Sequence, residues 1–305
     1  MKEYEFTVEE EYREERIDKC ISGLLCDLSR SYIQKMIKDG NVLCDGVIVS
    51  KAGFRVNENS HIKITTPDSV IPDIEAQDIP LDILYEDDDV IVVNKPKNMV
   101  VHPAPGNYEN TLVNALMFHC KDSLSGINGI MRPGIVHRID KNTTGSIIAC
   151  KNDRAHESIA LQLKNHTIKR EYVAVCIGNL PNDEGVIDAP IGRSQSDRKK
   201  MAVNVPNAKN AVTHYKVLKR FEKYNLISCI LETGRTHQIR VHMSSIGHPI
   251  LGDDVYGGCN ISLPMKLEGQ CLHAKVLGFI HPTTNVYTET IAPLPDYMNH
   301  LLKII

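Results

Sequence analysis

What this sequence lacks narrows its identity first. It holds no run of about eighteen or more apolar residues, the length a helix needs to cross a bilayer, and its opening residues, Met1-Lys2-Glu3-Tyr4-Glu5, are polar. Neither a membrane span nor a secretory signal is expected, and the cytoplasm is the expected home. Nine cysteines are present (Cys20, Cys26, Cys44, Cys120, Cys150, Cys176, Cys229, Cys259 and Cys271), yet none forms a Cys-x-x-Cys pair and most sit inside apolar runs. An odd, scattered set suits reduced, buried thiols better than a disulfide framework or a zinc site. The thirteen histidines contain no His-Glu-x-x-His, and His237 and His242 stand five apart rather than four, so no metal is expected. A surplus of positive charge is also missing. The formal net charge is −3 over 305 residues, which argues against a protein that coats nucleic acid unselectively while leaving room for a local basic surface.

What is present, 42% hydrophobic and 24% charged residues, is the composition of a globular protein with a large core or two domains. The division falls near residue 75, giving a small domain over 1–75 and a larger one over 76–305. Residues 1–15 are acidic, with Glu9, Glu10, Glu11, Glu14 and Glu15 clustered, and read as a strand or tail. A helical pattern starts at Arg16. Ser29 then reads as the N-cap of a second helix, Arg30 to Lys38, whose apolar face carries Ile33, Met36 and Ile37 and which Gly40 stops. Residues 41–49 read as two strands around the Asp45-Gly46 turn. Such a helix-helix-hairpin, with Arg30, Lys35 and Lys38 on one helix, offers a basic edge to phosphates; an ordinary small domain with a solvated cationic face has the same composition. From Thr65 to Pro80 the chain is polar and proline-punctuated, as a linker is.

In the larger part, residues 81–89 read as a turn leading into a buried strand, Val90 to Lys95, with Asp87, Asp88 and Asp89 as solvated turn carboxylates. Thr111 to Phe118 reads as a helix turning Leu112, Ala115, Leu116 and Phe118 inward. Asp153 reads as the cap of a helix running to Leu163. In the strand that follows, Val173, Val175 and Ile177 share one face and Tyr172, Ala174 and Cys176 the other, which leaves Tyr172 free to line a cavity, although a strand aromatic is more commonly core. Residues 187–216 are polar and basic, carrying Arg193, Arg198, Lys199, Lys200, Lys209 and Lys216. They fit an extended hairpin along an RNA backbone and, equally, a solvated loop. A strand from Leu226 to Glu232 precedes a helix capped by Thr236, with His237, Arg240, Val241 and Ser244 on one face. An arginine pointing inward from a helix needs a partner, because an unpaired buried charge is too costly to keep.

Asp140 is the candidate partner. It lies in the stretch from Gly134 to Gly145, between the β-prone Ile135-Val136 and Ile147-Ile148-Ala149, where a strand opens into a loop. Arg138 and Lys141 flank it and favour its ionised form, which makes it available as a nucleophile. A surface aspartate in a turn fits the same composition.

The segment Arg132-Pro133-Gly134-Ile135-Val136-His137-Arg138-Ile139-Asp140, with Thr143-Thr144-Gly145, resembles the signature of the RluA/RluD-type pseudouridine synthases; Ile139 and Thr144 stand where Leu and Ser are usual. Lys95-Pro96, Val101-His102-Pro103, Tyr172, the run from Gly234 to His242, Gly247-His248-Pro249 and Gly252-Asp253 continue the family pattern. Arg16-x-Asp18, Ser29-Arg30-Ser31, Ile37 and Gly40-x-Val42 resemble the small RNA-binding domain named after the fourth small-subunit ribosomal protein. Together the two resemblances span most of residues 16–64 and nearly all of 81–295. They imply an α+β fold: a catalytic domain with a long mixed, mostly antiparallel sheet, flanking helices and a central cleft, plus the small RNA-binding domain. They imply a cofactor-free monomer that isomerises uridines in structured RNA, above all 23S ribosomal RNA of the large subunit. Asp140 is then the nucleophile, Arg240 its orienting partner, Tyr172 the aromatic stacked on the extruded base, and Arg138 either a contact to the flipped nucleotide or the side chain that takes its place in the stack. His137, Thr143, Arg235 and His237 fall with them as substrate-binding residues, and Arg16, Arg30, Lys35 and Lys38 as RNA contacts. A tRNA-directed synthase and an inactive RNA-binding module are the alternatives within the resemblance. A nucleic-acid glycosidase is the alternative outside it, but that chemistry commonly needs a second carboxylate serving a water, and the motifs supply none beside Asp140.

Overall fold

The computed structural model describes residues 2–25, 28, 30–66, 74–104, 106–121, 123–129, 132–197, 200–259 and 263–305. The chain divides into two units, Met1–Pro72 and Asp73–Ile305. In the first, β1 (Lys2–Thr7) leads through a single 3-10 turn to helices α1 (Ile17–Leu24) and α2 (Arg30–Lys38), then to β2 (Val42–Cys44), β3 (Val47–Ile48) and β4 (His61–Thr66). The strands form an antiparallel sheet in the order β1-β4-β2-β3. Asp45 and Gly46 both take positive φ, 51° and 78°, the primed turn whose twist matches the strands it joins. Ile17, Cys20 and Ile21 of α1 and Ile33, Met36 and Ile37 of α2, spaced at three and four, form one core with Ile62 and Ile64 of β4. Thr65 and Thr66, expected to open the linker, instead finish β4, paired with Glu3 and Lys2. The expected Ser29 cap and residues 67–73 lie outside the described residues.

The second unit runs β5 (Ile83–Glu86), β6 (Val90–Lys95), α3 (Leu112–Cys120), β7 (Thr144–Cys150), α4 (Asp153–Lys164), β8 (Lys169–Ile177), β9 (Glu184–Asp188), β10 (Ile191–Arg193), β11 (Met201–Val203), β12 (Val212–Arg220), β13 (Tyr224–Leu231), α5 (Gln238–Ser245), β14 (Leu272–Ile280), β15 (Tyr287–Ile291) and α6 (Asp296–Ile304). Its long sheet has the order β5-β6-β7-β14-β8-β13-β12-β9, with β15 on β14, and among the described residues only the β7-β14 pair is parallel. The α+β architecture with a mostly antiparallel sheet is the one expected. The alternation in β8 sorts its side chains as expected too: Tyr172, Ala174 and Cys176 join the main core, while Val173 and Val175 pack with Met298 and Leu301 of α6 on the other face.

Several local expectations need correction. Residues 83–86 are a strand rather than part of a turn, paired antiparallel with β6. Asp87 is no free turn carboxylate: it accepts from the Tyr85 hydroxyl and pairs with His281 Nε2, both at 2.6 Å, and takes the backbone N–H of Asp89 and Val90. These bonds outweigh its partial burial and hold its carboxyl down to about 2. Phe118 is exposed, because it stands about 200° around α3 from Leu116. Asn152, not Asp153, caps α4 by accepting from the Ala155 N–H at 2.9 Å; Asp153 accepts from the Ser125 hydroxyl instead. Within the basic segment, β10 and β11 form a separate two-stranded hairpin and Lys216 belongs to β12. Arg198 and Lys199 lie outside the described residues.

Candidate active site

The loop carrying Asp140 is held at both ends by backbone geometry. Gly134, at φ 70°, exchanges hydrogen bonds with the backbone of Cys150 and Ser125, and a Cβ there would lie 2.7 Å from the Cys150 carbonyl oxygen. Only glycine allows that approach. Ile135 makes a single bridge to Ala149 rather than the strand end expected there, so Asp140 sits in irregular chain just ahead of β7, closed by a Thr143 N–H to Asp140 carbonyl bond of 3.0 Å. Lys95, fully buried at the end of β6, donates to the carbonyls of Pro96 and Met99 at 2.8 Å and of Lys141 at 3.1 Å. Burial pushes its ammonium down to about 7 against the opposing charge of Asp140. The lysine thus ties the residue after Asp140 to the neighbouring strand. Thr143 is buried and accepts from Gln270 Nε2 at 3.1 Å, so it orders the loop as well as lining the cleft.

The cation hydrogen-bonded to Asp140 comes from far along the chain. Arg240 Nη1 on α5 donates to Asp140 Oδ2 at 2.9 Å, while Nε and Nη2 grip both oxygens of Asp253 at 2.7 and 3.0 Å. Burial works against the Arg240 charge, but the two carboxylates hold it protonated, well above the ordinary arginine value. Asp253, itself fully buried, also accepts the backbone N–H of Val255 and Tyr256. It is the second carboxylate near Asp140, but it is spent on Arg240 and lines neither cavity at the site.

The expected Thr236 cap is absent: His237 is the N-cap of α5, at φ 56°, with no side-chain capping bond. The turn is held instead by Gln238, which accepts from the Thr233 hydroxyl and the Arg235 N–H and donates to the Val212 carbonyl and the Thr213 hydroxyl of β12. His237 Nδ1 meets the Tyr256 hydroxyl at 2.8 Å, and that hydroxyl already accepts from the Met201 N–H. His237 Nε2 lies 3.8 Å from Asp140 Oδ1. Burial lowers the His237 pKa and the Asp140 charge opposes the shift.

Tyr172 completes the floor. It is nearly buried, a member of the main core rather than free of it as expected, and it still lines the cleft. Burial raises its phenol pKa, Arg170 opposing and Asp140 reinforcing. A narrow cavity of about 60 Å³ lies between Asp140, Tyr172, Arg235 and Arg240. Asp140, Tyr172, Arg138, Arg235 and His237 also line a second cavity of about 540 Å³, ample for a nucleotide. Arg138 is exposed at its mouth, and Arg235 is fixed there by an Nε bond to the Asn210 carbonyl at 2.8 Å.

The structure thus gathers Asp140, Tyr172, Arg240, Arg138, Thr143, Arg235 and His237 at one cleft. His137 lines the larger cavity too, but its Nε2 accepts from the Ile148 N–H at 3.1 Å. Burial, with the Arg170 charge adding, pushes its imidazole down to about 3, so it serves the loop as a neutral acceptor. Sequence reasoning missed Tyr256 and the burial of Lys95 and Arg170. Arg170 had a signal: it stands two residues before Tyr172 in a strand, hence on the same face.

In the first unit, Arg16 and Arg30 both bond Asp18, a carboxylate with no exposed surface, at 3.0 and 3.1 Å, with Gln34 Nε2 at 2.6 Å. Their side chains remain about half exposed. Lys35 and Lys38 are exposed on α2.

Residues 89–245 match the family model described as RNA pseudouridylate synthase, and residues 15–62 match the S4 domain. An uncharacterised RNA pseudouridine synthase of Bacillus subtilis is 51% identical over 99% of this chain and 98% of its own. The ribosomal large subunit pseudouridine synthase D of Zymomonas mobilis is 44% identical over 98% of this chain and 96% of its own. Among solved structures, human RNA pseudouridylate synthase domain containing 1 superposes with a TM-score of 0.58 at 25% identity, covering 75% of this chain and 86% of that one.

Proposed function

The chain belongs to the RNA pseudouridylate synthase family, and we propose that it isomerises uridines of large-subunit ribosomal RNA with Asp140 as its nucleophile. The substrate class follows the relatives of nearly equal length that are named for that RNA, among them the one from Zymomonas mobilis, and the S4 domain adds a second RNA-binding element. The observation that carries the catalytic assignment is the 2.9 Å bond from Arg240 to Asp140 at the edge of a cavity that Tyr172 lines. We place the enzyme in the cytoplasm as a monomer; among the described residues no helix is long and apolar enough to cross a membrane.

The reaction breaks the bond between uracil N1 and ribose C1′, turns the base, and forms a bond from C5 to C1′. The proton of C5 is lost and N1 gains one, so nothing is oxidised and no cofactor is consumed. A nucleophile must hold one fragment while the other is loose, and water must stay out. Asp140 supplies the nucleophilic oxygen. Arg240, anchored by Asp253, fixes the carboxylate so that its free oxygen faces the cavity. Tyr172 offers its ring to the extruded base and assists removal of the C5 proton, while Arg138 contacts the flipped nucleotide. With Asp253 occupied by Arg240, no second carboxylate among the described residues lines either cavity, which disfavours glycosidic hydrolysis.

The test is to incubate the protein with large-subunit rRNA transcripts and map uridines that have become resistant to glycosidic cleavage. Pseudouridine is expected with wild type and no free uracil. Asp140→Asn and Asp140→Ala should abolish it while RNA binding survives; full activity in either variant, or release of uracil, would sink the assignment.

A further inference from the structure

Two of the described arginines of the second unit lie more than nine-tenths buried, and their surroundings differ. Arg240 has donors on two carboxylates. Arg170 on β8, only 8% exposed, has none. Among the described residues its side chain makes one hydrogen bond, a long one of 3.4 Å from Nη2 to the Glu232 carbonyl, and its Nε has no partner. Among the described residues Arg170 makes no ion pair: the adjacent Glu171 is engaged by Ser228, and the Glu232 carboxylate by His214. A guanidinium carries five donors, and leaving such a charge buried and uncompensated is among the costlier arrangements a fold can keep. The fold nonetheless makes room for it. Gly234 stands against the guanidinium, where a Cβ would lie 2.5 Å from Arg170 Nη1.

The cavity that Arg170 faces is short of negative charge. It is the 540 Å³ space shared with Asp140 and Tyr172, and Asp140 is the only carboxylate among its lining residues, against Arg138, Lys164, Arg170 and Arg235. Tyr172 lies two positions on in the same strand, so the guanidinium and the phenol project from one face of the sheet.

We propose that Arg170 is the floor of a phosphodiester subsite, a fork that receives the backbone phosphate of the extruded nucleotide beside the base-holding Tyr172. It is a binding and positioning residue, distinct from Asp140. An RNA phosphate would bring the missing counter-charge, accept two of the idle N–H donors in the bidentate geometry that suits arginine, and fix the sugar relative to the nucleophile. Lys164 and Arg235 at the rim would draw the strand in. The inference rests on the uridine-isomerising reading only for which nucleotide is bound; the anion site itself stands on the orphaned guanidinium.

The first experiment needs no RNA and no catalysis. Thermal unfolding of the full chain is followed with and without inorganic phosphate at constant ionic strength. Wild type and Asp140→Asn should each rise by roughly 2–4 °C at phosphate well above its dissociation constant, and Arg170→Gln should not. The second measures binding to a single-stranded oligouridylate as salt is varied. Arg170→Gln should flatten the slope of log affinity against log salt by about 0.7, and Arg170→Lys should restore the slope without the full affinity. A phosphate response that persists in Arg170→Gln, or a salt slope unmoved by that change, would overturn the proposal. Loss of turnover in Arg170→Gln with both binding readouts intact would also overturn it, by placing the guanidinium on the base. Because Asp140→Asn is expected to keep the phosphate response, failure of the nucleophile assignment and failure of this subsite are separate results.

Discussion

Arg240 and Asp253 face each other as a closed fork, Nε to Oδ2 at 2.7 Å and Nη2 to Oδ1 at 3.0 Å, with Asp253 wholly buried. Only Nη1 is left over, and that is the atom bonded to Asp140. The guanidinium plane is therefore set by the buried carboxylate, so the direction of the Arg240 to Asp140 bond is decided before any substrate arrives.

Asp253→Asn tests this dependence. Removing one partner of a buried pair should cost about 3–5 kcal/mol in urea unfolding of the full chain, and the loosened Arg240 should slow turnover about a hundredfold with little change in RNA affinity. Turnover at the wild-type rate in a folded Asp253→Asn protein would show that Arg240 is oriented by something else.

Gly145 tests the joint beneath the loop. At φ 106°, its added Cβ would fall 2.2 Å from the Ala274 carbonyl oxygen, where β7 and β14 run parallel. Gly145→Ala combines a left-handed backbone penalty with a backbone clash that no rotamer relieves. A loss of roughly 2–5 kcal/mol is expected, read as a lower denaturation midpoint at an unchanged slope.

His137 makes acid stability a readout of the loop. Its folded-state pKa of about 3 lies below the ordinary histidine value near 6.5, so the unfolded chain takes up a proton that the folded chain refuses. The stabilisation is present above about pH 6.5 and declines as pH falls towards 3. His137→Gln keeps an acceptor for the Ile148 N–H and removes the titration, so its stability should fall less steeply over that interval. An identical acid limb would place the loss on other groups.

The first unit separates structure from RNA contact. Burial opposes the charge of Asp18, but Arg16, Arg30 and Gln34 bond it and its carboxyl is held below the usual range, so its contribution is present above about pH 4 and lost in acid. Asp18→Asn should destabilise this unit by roughly 2–4 kcal/mol and release both arginines. Lys38→Gln, by contrast, should leave unfolding unchanged and flatten the salt dependence of RNA binding by about 0.7–0.9. Equal effects of the two changes on stability would break the distinction.

Much of this arrangement was readable beforehand. The 3.6-residue spacing of Ile33, Met36 and Ile37 and the alternation through β8 respond to burial alone, and the Asp45-Gly46 turn to backbone sterics, so each element declares itself locally. The ends were less legible. Thr236 and Asp153 have the chemistry of N-caps, yet His237 and Asn152 hold those positions, because a cap is chosen by where the chain enters the helix. Phe118 and Asp87 were misjudged for a related reason: one depends on the direction of a helix face, the other on His281, far along the chain.

From its residues alone, the sequence determined which side chains carry charge, which segments become helix or strand, and which aspartate stands in a glycine-bounded loop. It could not determine which charges meet. Arg240 finds Asp140 a hundred positions away and Asp253 thirteen away, while Arg170, as cationic in sequence as Arg138 or Lys141, is buried with no carboxylate partner among the described residues. Those pairings follow from sheet order and from the parallel crossing of β7 on β14, which bring distant strands into one cleft. Coulombic partnership depends on separations of a few ångströms, and only the tertiary structure sets them.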